Sequence, residues 1–320
     1  MKKIIGIIPC DNGLGHITRS IELASYLSKQ YKIVFFINKK KIKKVHIPTY
    51  IKKVFINKIF IFKKNKYNYN WINKVKKNIY SQKIDFLISD NLPEIIYLNL
   101  KCLIIANFFW HEQLKMKKFP LKKLNNTIQK KKIKIFRNII FKNKEKFEYF
   151  GFLGKLKKSI KKEDSILISF GSDDKFNNII NKELKKIIYD KNRKHKILLD
   201  PIYFRKKFIN LNVEKANFSK KMYEKTKYAI IKPGFGSIQK CLENGTKLFC
   251  YTKYCNVEFN RNANAIKKAK LGIKIDNIYK CYTLIKNNYI MFPNLTNKKI
   301  WGGEIKILSQ IKKELKTTRK

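Results

Sequence analysis

The sequence lacks the patterns that mark several classes of protein. Its six cysteines form no Cys-x-x-Cys pair and show no recognisable metal-ligand spacing. The longest apolar stretch, residues 95–110, is broken by asparagines and a lysine, which excludes a membrane-spanning helix. The apolar run near the N-terminus ends at Pro9 with no small-residue cleavage site, and no repeat of solenoid length is present. We therefore expect a soluble cytoplasmic protein with buried, reduced thiols.

Acidic residues and arginines are scarce, whereas lysine is abundant. Lysine and arginine number 74 against 22 aspartates and glutamates, a formal net charge of +52, but only six of the basic residues are arginines. The lysines are spread among many Ile, Asn, Tyr and Phe residues, a composition typical of A/T-rich coding sequence, and few arginines are available for bidentate phosphate contacts. We interpret the excess as a solvated surface and predict no specific nucleic-acid partner. Peripheral association with an anionic membrane stays open as a secondary role.

Length and pattern together predict two α/β domains. A chain of 320 residues with 44% hydrophobic residues can fill two cores. Continuous apolar runs such as residues 33–37 are typical of strands covered on both faces, and they alternate with helical patterns in both halves. We expect two Rossmann-like, doubly wound sheets that face each other across a cleft. The N-terminal domain is predicted over residues 1–155 and the C-terminal domain over 156–320, with the last helix packing back on the first domain.

The elements follow from the periodicity of apolar residues. In the first half, the pattern predicts a helix after residue 15, a helix over 71–82, and strands over 4–8, 33–37, 85–90 and 102–107. Residues 41–70 give no clear element, and residues 115–150 predict a helix followed by an exposed stretch. In the second half, the pattern predicts helices over 177–189, 237–243 and 260–270 and strands over 165–170, 195–199, 228–232 and 247–252.

The segment from Asp11 to Ala24 joins the first strand to the first helix and is the main candidate for a binding loop. Gly13 and Gly15 permit close backbone approach, and the helix that follows presents unpaired N–H groups and the positive end of its dipole. His16 stands at this entrance. Because imidazole is the side chain that titrates near neutrality, His16 is the first choice for a general base and Asp11 the second. An ordinary turn with a solvated histidine is the alternative interpretation.

Other candidate residues fall where predicted strands end, at the edge where open parallel sheets bind ligands. Asp90 and Asn107 end two strands of the first half, although a single residue of this kind is more often a turn former or a cap. In the second half, two turns place backbone amides and hydroxyls at helix starts, which suits a diphosphate. These turns are Gly171-Ser172 and Gly234-Phe235-Gly236-Ser237. Either turn singly is also typical of a plain connection, but their recurrence favours a site.

These motifs together resemble a known family. The loop from Gly13 to Ser20 is similar to the N-terminal loop of GT-B glycosyltransferases of the peptidoglycan N-acetylglucosaminyltransferase type. More narrowly, it resembles the glycosyltransferase-like region that precedes the kinase domain of plant L-arabinokinase, together with its stand-alone bacterial relatives. The resemblance does not extend to the kinase half, so it implies no arabinokinase activity. Further matches follow in the same order: Ser89–Pro93, Ala106–Trp110, Ser169–Ser172, Lys232–Ser237, Glu258 with Asn264, and Gly302–Glu304.

The resemblance implies transfer of a sugar from a nucleotide diphosphate sugar, with UDP-sugar favoured, to an unidentified acceptor. It implies an acceptor-binding N-terminal domain and a donor-binding C-terminal domain in which Glu258 and Asn264 face the donor. We expect no cofactor and no metal, because helix termini and amides can receive the diphosphate. No clear Asp-x-Asp pair ends a strand, and Asp173-Asp174 is interpreted as helix capping. We expect inversion at the anomeric carbon.

One position departs from the family pattern, and two other functions stay open. The glutamate that holds the ribose hydroxyls in nucleotide-binding relatives corresponds to Lys240, and Glu243 on the same helical face is the candidate replacement. Without that replacement, ribose recognition is weakened, the nucleotide differs, or the site has decayed. The alternatives are a nucleotide-sugar hydrolase of the same fold, in which water replaces the acceptor, and a non-catalytic sugar- or nucleic-acid-binding protein.

Overall fold

In a computed structural model, the chain divides into two compact units, Met1–Gly154 with Lys299–Lys320, and Lys155–Lys298. The structure describes residues 2–11, 14–57, 62–63, 66–67, 71–107, 121–142, 147–157, 161–171, 177–253, 255–290 and 300–316. The side chains of residues 44, 62–63, 66–67, 121–125 and 177–179 are outside that description. The sequence predictions for Gly13, Ser172 and Asp173-Asp174 therefore lie outside the described residues.

The first unit is built on a parallel seven-stranded sheet in the order β3-β2-β1-β6-β7-β8-β9. The order reverses between β1 and β6, as in a doubly wound fold. A separate antiparallel pair is formed by β4 (Phe62–Lys63) and β5 (Lys66–Tyr67). The sheet strands are β1 (Ile4–Pro9), β2 (Lys32–Asn38), β3 (Lys52–Ile56), β6 (Phe86–Asp90), β7 (Cys102–Ile105), β8 (Lys134–Asn138) and β9 (Glu148–Phe150). The helices are α1 (Gly15–Leu27), α2 (Trp71–Tyr80), α3 (Leu121–Lys130) and, from the C-terminal segment, α9 (Gly303–Lys316).

The second unit repeats the plan with a parallel six-stranded sheet in the order β12-β11-β10-β13-β14-β15. Here the order reverses between β10 and β13. The strands are β10 (Glu163–Ser169), β11 (Lys196–Leu199), β12 (Val213–Lys215), β13 (Thr226–Ile231), β14 (Lys247–Tyr251) and β15 (Ile273–Ile275). The helices are α4 (Asn177–Ile188), α5 (Lys220–Lys225), α6 (Phe235–Glu243), α7 (Val257–Lys268) and α8 (Ile278–Lys286).

The apolar runs become strands because helices cover the sheet on both faces. In the first unit, one face of the sheet packs with residues of α1 and α9, such as Leu23 and Ile307, and the other packs with residues of α2, such as Trp71. Alternate residues of one strand point to opposite faces, so Phe35 joins the first of these cores and Phe36 the second. A strand buried in this way has no polar face, which explains why its apolar residues are consecutive and do not alternate with polar ones.

The prediction for residues 115–150 was wrong in its second half. After α3, the chain forms β8 and β9, and Phe136, Arg137, Asn138 and Phe150 in these strands are buried. The periodicity was obscured because lysines surround each short strand, β8 is buried on consecutive residues, and β9 buries only its last residue, Phe150. Residues 41–70, where the pattern predicts no clear element, contain the edge strand β3, whose Phe55 is exposed.

The C-terminal segment belongs to the first unit. Phe152 and Trp301 form an isolated parallel bridge, and the amide of Gly303 donates to the Phe152 carbonyl at 3.0 Å. A Cβ atom on Gly303 would lie 2.1 Å from the carbonyl oxygen of Gly151, so the close approach requires glycine. Glu304 accepts from the amide of Gly154 at 2.8 Å. The Gly302-Gly303-Glu304 motif therefore has a structural reason, the docking of α9.

The described cysteines are all free thiols, four of them buried. Burial raises the pKa of the Cys241 thiol to about 12 despite the nearby Lys162 and Lys240, as expected for an unreactive core residue. Among the helices in the described part of the chain, none combines the length and apolar character that crossing a membrane requires.

Candidate functional site

Three features that the sequence predicts meet where the strand order of the first sheet reverses: the start of α1, His16 and Asp90. Helix α1 begins after the loop that follows β1, and β6 ends beside it at Asp90. The carboxyl ends of the two strands are adjacent because Pro9 pairs with Asp90 in the ladder. In doubly wound sheets, the crevice at such a point is where ligands bind. The topology therefore brings His16 and Asp90 together, although 74 residues separate them in the sequence.

His16 and Asp90 form a direct hydrogen bond. Nδ1 of His16 lies 2.8 Å from Oδ1 of Asp90, and the imidazole is 13% exposed, whereas the carboxylate is 2% exposed. Two further α1 residues bond the same carboxylate: Arg19 through Nε to Oδ2 at 2.8 Å and through Nη2 to Oδ1, and Ser20 through Oγ to Oδ2 at 3.3 Å. Residues 16, 19 and 20 share one helix face because they are three and four positions apart.

The surroundings of Asp90 keep its carboxylate ionised. Burial alone would raise its pKa, but the neighbouring Arg19 and His16 lower the pKa to about 2 through charge and hydrogen bonds. An ionised carboxylate only accepts hydrogen bonds, so Nδ1 of His16 must carry the proton that it shares with Oδ1. In the neutral imidazole, Nε2 is then left with its lone pair. This tautomer is the one that can take a proton from a bound hydroxyl.

The start of α1 makes few contacts with the described residues around it. Leu14, at the N-cap position, provides no side-chain hydrogen bond to the helix, and the first turn has no acidic residue. A Cβ atom on Gly15 would meet nothing within 4 Å, and His16 follows directly. A helix start that Leu14 does not cap, beside a bonded imidazole, suits a polar ligand, because the first N–H groups of a helix have no partner within it.

Two other candidates in the first unit, Asp11 and Asn107, are buried, and each accepts a hydrogen bond from a neighbouring asparagine. Asp11, the second choice for the base, is 3% exposed and accepts from Nδ2 of Asn38 at 2.8 Å. Asn107 follows β7, is 6% exposed, and its Oδ1 accepts from the backbone amide of Asn138 at 3.2 Å. The contact of Asn107 satisfies the neighbouring strand end, which is the commoner role of such a residue.

The second unit places both of its glycine turns at the corresponding reversal point. Gly171 follows β10, and Gly234 follows β13 and occupies the N-cap position of α6. The two turns are adjacent because Ser169 pairs with Ile231 and the amide of Lys232 continues the ladder by donating to the Ser169 carbonyl at 2.9 Å. This corner, defined by residues 169–171 and 232–237, is called the glycine corner below.

The amide of Gly171 is not open to a ligand. It donates at 3.0 Å to Oδ2 of Asp200, which also accepts from the Ser169 hydroxyl at 2.8 Å. Gly171 has a φ of +67°, a conformation that favours glycine. Asp200 is 7% exposed and fixes the turn. Our sequence analysis missed Asp200, although the rule that selected Asp90, a carboxylate at a strand end, applies to it equally.

The start of α6 supplies the donors of the glycine corner. Gly234 has no side chain to cap the helix, and its own amide donates to the Lys232 carbonyl at 2.7 Å. The N–H groups of Gly236 and Ser237 lie in the first turn, where no partner exists within the helix. Neither these amides nor the Ser237 hydroxyl has an acceptor among the residues that the structure describes.

Lys232 places a positive charge at the same corner. Its ammonium lies 3.6 Å from where a Cβ atom on Gly171 would be and 5.0 Å from the ring centre of Phe259 on α7. In the described ranges, no carboxylate pairs with this ammonium. A lysine between two glycine turns and beside an uncapped helix start forms a site with the charge and donors that a phosphate requires.

The candidates on α7 separate onto two faces. Glu258 lies half-buried in its first turn, and Asn262, one helical turn later, donates through Nδ2 to the Pro233 carbonyl at 2.9 Å. Asn264 is exposed, and its Oδ1 accepts from Lys274 at 3.0 Å. The prediction that Asn264 faces the donor gains no support from this contact. Asn262, which sequence analysis did not select, supports the glycine corner and is four residues from Glu258.

Glu243, the candidate replacement for the ribose-binding glutamate, forms an ion pair with a lysine, and its role in ribose binding stays a prediction. It ends α6, and its Oε1 lies 3.3 Å from the ammonium of Lys157. The helix carries it about 10 Å along the axis from Gly236, at 1.5 Å per residue. Lys240 is exposed, with its ammonium 5.7 Å from the Tyr223 ring centre.

Within the described part of the chain, no three histidine, cysteine, aspartate or glutamate side chains come together in a way that could hold one.

Comparisons with known proteins give matches in structure and none in sequence. No protein-family model matches the chain, and no curated protein matches it. Among solved structures, Acinetobacter baumannii MurG is similar over 97% of this chain and 99% of its own, at 12% identity and a TM-score of 0.65. The glycosyltransferase SnogD from Streptomyces nogalater matches over 98% and 100%, at 10% identity and 0.65. LpCGTa, solved in complex with UDP, matches over 98% and 94%, at 11% identity and 0.61.

These likenesses extend over nearly the whole chain, but at identities this low they establish the fold alone. The narrower resemblance to the L-arabinokinase region stays a prediction from the motifs. The parallel seven-stranded and six-stranded sheets match the two Rossmann-like domains of these neighbours. The chain therefore has the GT-B fold, the two-domain α/β architecture of these glycosyltransferases.

Proposed function

We propose that the chain is a glycosyltransferase that moves a sugar from a nucleoside diphosphate sugar to an acceptor hydroxyl. The observation that carries the proposal is the 2.8 Å bond between His16 and Asp90, which leaves Nε2 of His16 as an unprotonated acceptor at the end of the first sheet. A general base of this kind is what attack by a hydroxyl requires. The near full-length likeness of the fold to glycosyltransferases supports the same reaction class.

In the proposed step, the acceptor oxygen attacks the anomeric carbon while His16 Nε2 takes its proton. The bond between the anomeric carbon and the diphosphate oxygen breaks, and its electron pair leaves with the nucleoside diphosphate. A single displacement of this kind inverts the configuration at the anomeric carbon. Asp90 keeps the imidazole in the required tautomer and stabilises the imidazolium that forms.

The glycine corner is the proposed site of the donor diphosphate. The Lys232 ammonium, the first amides of α6 and the Ser237 hydroxyl together supply one full positive charge and several hydrogen-bond donors. Such groups can stabilise the departing diphosphate without a metal ion. A uridine nucleotide is the first candidate, because the similarly folded LpCGTa was solved with UDP.

The experiment begins with thermal shifts against UDP, GDP, TDP and CDP. A ligand at 100 times its dissociation constant stabilises the folded protein by about 2.7 kcal/mol, which is readily detected. The responding nucleotide then selects the sugar donors for product analysis. Rapid release of free sugar without acceptor would identify a hydrolase, and the absence of any nucleotide response would favour a non-catalytic protein.

Substitution of the base completes the test. In His16→Ala, we expect turnover to fall by roughly 10²- to 10⁴-fold, the usual scale of general-base removal. The circular dichroism spectrum should be unchanged, because His16 lies at the helix start and is not part of the core. His195→Gln, in the second unit, serves as the control. Unchanged turnover in His16→Ala would reject His16 as the general base.

A further inference from the structure

We infer that Arg19 is the positioning residue that holds Asp90 in register with His16 and thereby sets the tautomer of the imidazole. The inference rests on the proposed function only in assigning Nε2 of His16 as the atom that accepts the proton. Arg19 is 7% exposed and contacts both oxygens of Asp90 through Nε and Nη2. Its Nη2 also lies 3.4 Å from His16 Nδ1, a contact without a hydrogen bond, because both nitrogens donate to Oδ1 of Asp90.

The helix geometry explains why an arginine stands at this position. His16, Arg19 and Ser20 lie on one face of α1, and all three reach the single carboxylate that ends β6. Two contacts reach each oxygen: His16 and Arg19 bond Oδ1, while Arg19 and Ser20 bond Oδ2. Four donors match the lone-pair directions of an ionised carboxylate. The carboxylate therefore cannot rotate without losing hydrogen bonds.

Loss of the guanidinium would change the behaviour of Asp90. Oδ2 would keep only the long contact from Ser20, and the buried carboxylate would lose the permanent positive charge beside it. The carboxyl group could then rotate or take up a proton, and a protonated carboxyl can donate to Nδ1. That arrangement would move the imidazole proton to Nε2, which removes the base. Lysine cannot replace this function fully, because a point charge lacks the fixed fork of donors.

The tautomer can be measured without any substrate. Nitrogen-15 NMR of the full-length protein distinguishes the two ring nitrogens of a neutral histidine, and the spectrum of His16→Gln identifies the His16 signals among those of the four histidines. We expect a protonated Nδ1 in the wild-type protein and in Arg193→Met. Arg193 is the matched control, a half-buried arginine that donates to the carbonyls of Ile187 and Ile188 in the other unit.

In Arg19→Met, we expect His16 to lose the protonated Nδ1 form as its main tautomer, and kcat to fall by about 10²-fold with KM within about threefold. In Arg19→Lys, which keeps the charge, we expect partial recovery of kcat. If Arg19→Met does not fold, Arg19→Lys provides the test of the tautomer. A His16 signal unchanged in either folded variant would overturn the inference, and so would full recovery of both readouts by lysine.

These outcomes separate the inference from the proposed function. If the wild-type protein shows protonated Nδ1 and the Arg19 variants lose it, Arg19 positions the pair even when no sugar transfer is found. If transfer is found but the tautomer is insensitive to Arg19, the proposed function stands and the inference fails. The kinetic readout is then assigned to some other effect of the substitution.

Discussion

The carboxylate of Asp90 makes the folded protein sensitive to acid. Its pKa is about 2 in the folded protein against an ordinary value of 3.8, so folding favours the ionised form. The stabilisation is fully present above about pH 4 and is lost as the pH falls through 2. A difference of nearly two pKa units corresponds to about 2 kcal/mol.

We predict that the wild-type protein loses about 2 kcal/mol more free energy of unfolding between pH 4.5 and pH 2 than Asp90→Asn does. Urea denaturation followed by tryptophan fluorescence measures this change in the first unit, because Trp71 and Trp301 belong to it and residues 155–298 contain no tryptophan. Asp164→Asn, at a half-exposed aspartate of the second unit, is the control and should match the wild type. Equal acid dependence in Asp90→Asn would show that the carboxylate is not held ionised.

Lys232 is predicted to recognise the diphosphate and not the nucleoside. In Lys232→Met, the Kd for UDP should rise about tenfold, which corresponds to about 1.4 kcal/mol for one charged contact, while uridine binding changes by less than twofold. Isothermal titration calorimetry gives both constants. Lys274→Met is the matched control, since Lys274 bonds the exposed Asn264. Equal losses for uridine and UDP would remove the phosphate role of Lys232.

Helix α9 is attached to the first unit by a close backbone crossing, and this is testable by adding a methyl group. In Gly303→Ala, the new Cβ atom would lie 2.1 Å from the Gly151 carbonyl oxygen, so the crossing must open. We expect the first unit to lose about 1 to 3 kcal/mol of stability, the usual cost of overpacking.

The control for this element is Gly15→Ala, whose Cβ atom meets nothing within 4 Å. Tryptophan fluorescence during urea denaturation should show the lower midpoint in Gly303→Ala and a midpoint close to wild type in Gly15→Ala. A Gly303→Ala protein as stable as the wild type would mean that α9 does not dock through this contact.

At the scale of the whole molecule, the net charge of +52 predicts non-specific attraction to polyanions. If duplex DNA is held by about six to ten phosphate contacts, its affinity should fall by roughly 10³-fold or more between 50 and 200 mM salt, with no preference for sequence. Binding of UDP, which carries few charges, should fall far less. Fluorescence anisotropy with two unrelated duplexes measures both points. A salt-resistant, sequence-dependent affinity would favour a nucleic-acid-binding function.

Much of the fold is predictable from sequence because its strands are buried on both faces. Runs such as residues 33–37 and 228–232 have a single interpretation, and the structure confirms strands there as β2 and β13. Residues 134–138 and 148–150 were missed because a short strand with lysines at its margins shows no periodicity. Their burial depends on the strands that pair with them, which the residues of the short strands do not themselves indicate.

The candidate site also has one part that the sequence predicts and another that it does not. The sequence by itself determined the alternation of strands and helices and the positions of His16 and Asp90 at the ends of elements, because these depend on local apolar spacing. The tertiary structure alone decided that Arg19 and Ser20 share the Asp90 carboxylate, that Asp200 occupies the Gly171 amide, and that Glu243 bonds Lys157. The reason is that strand order brings together residues 29 to 86 positions apart, and no local pattern records which strands become neighbours.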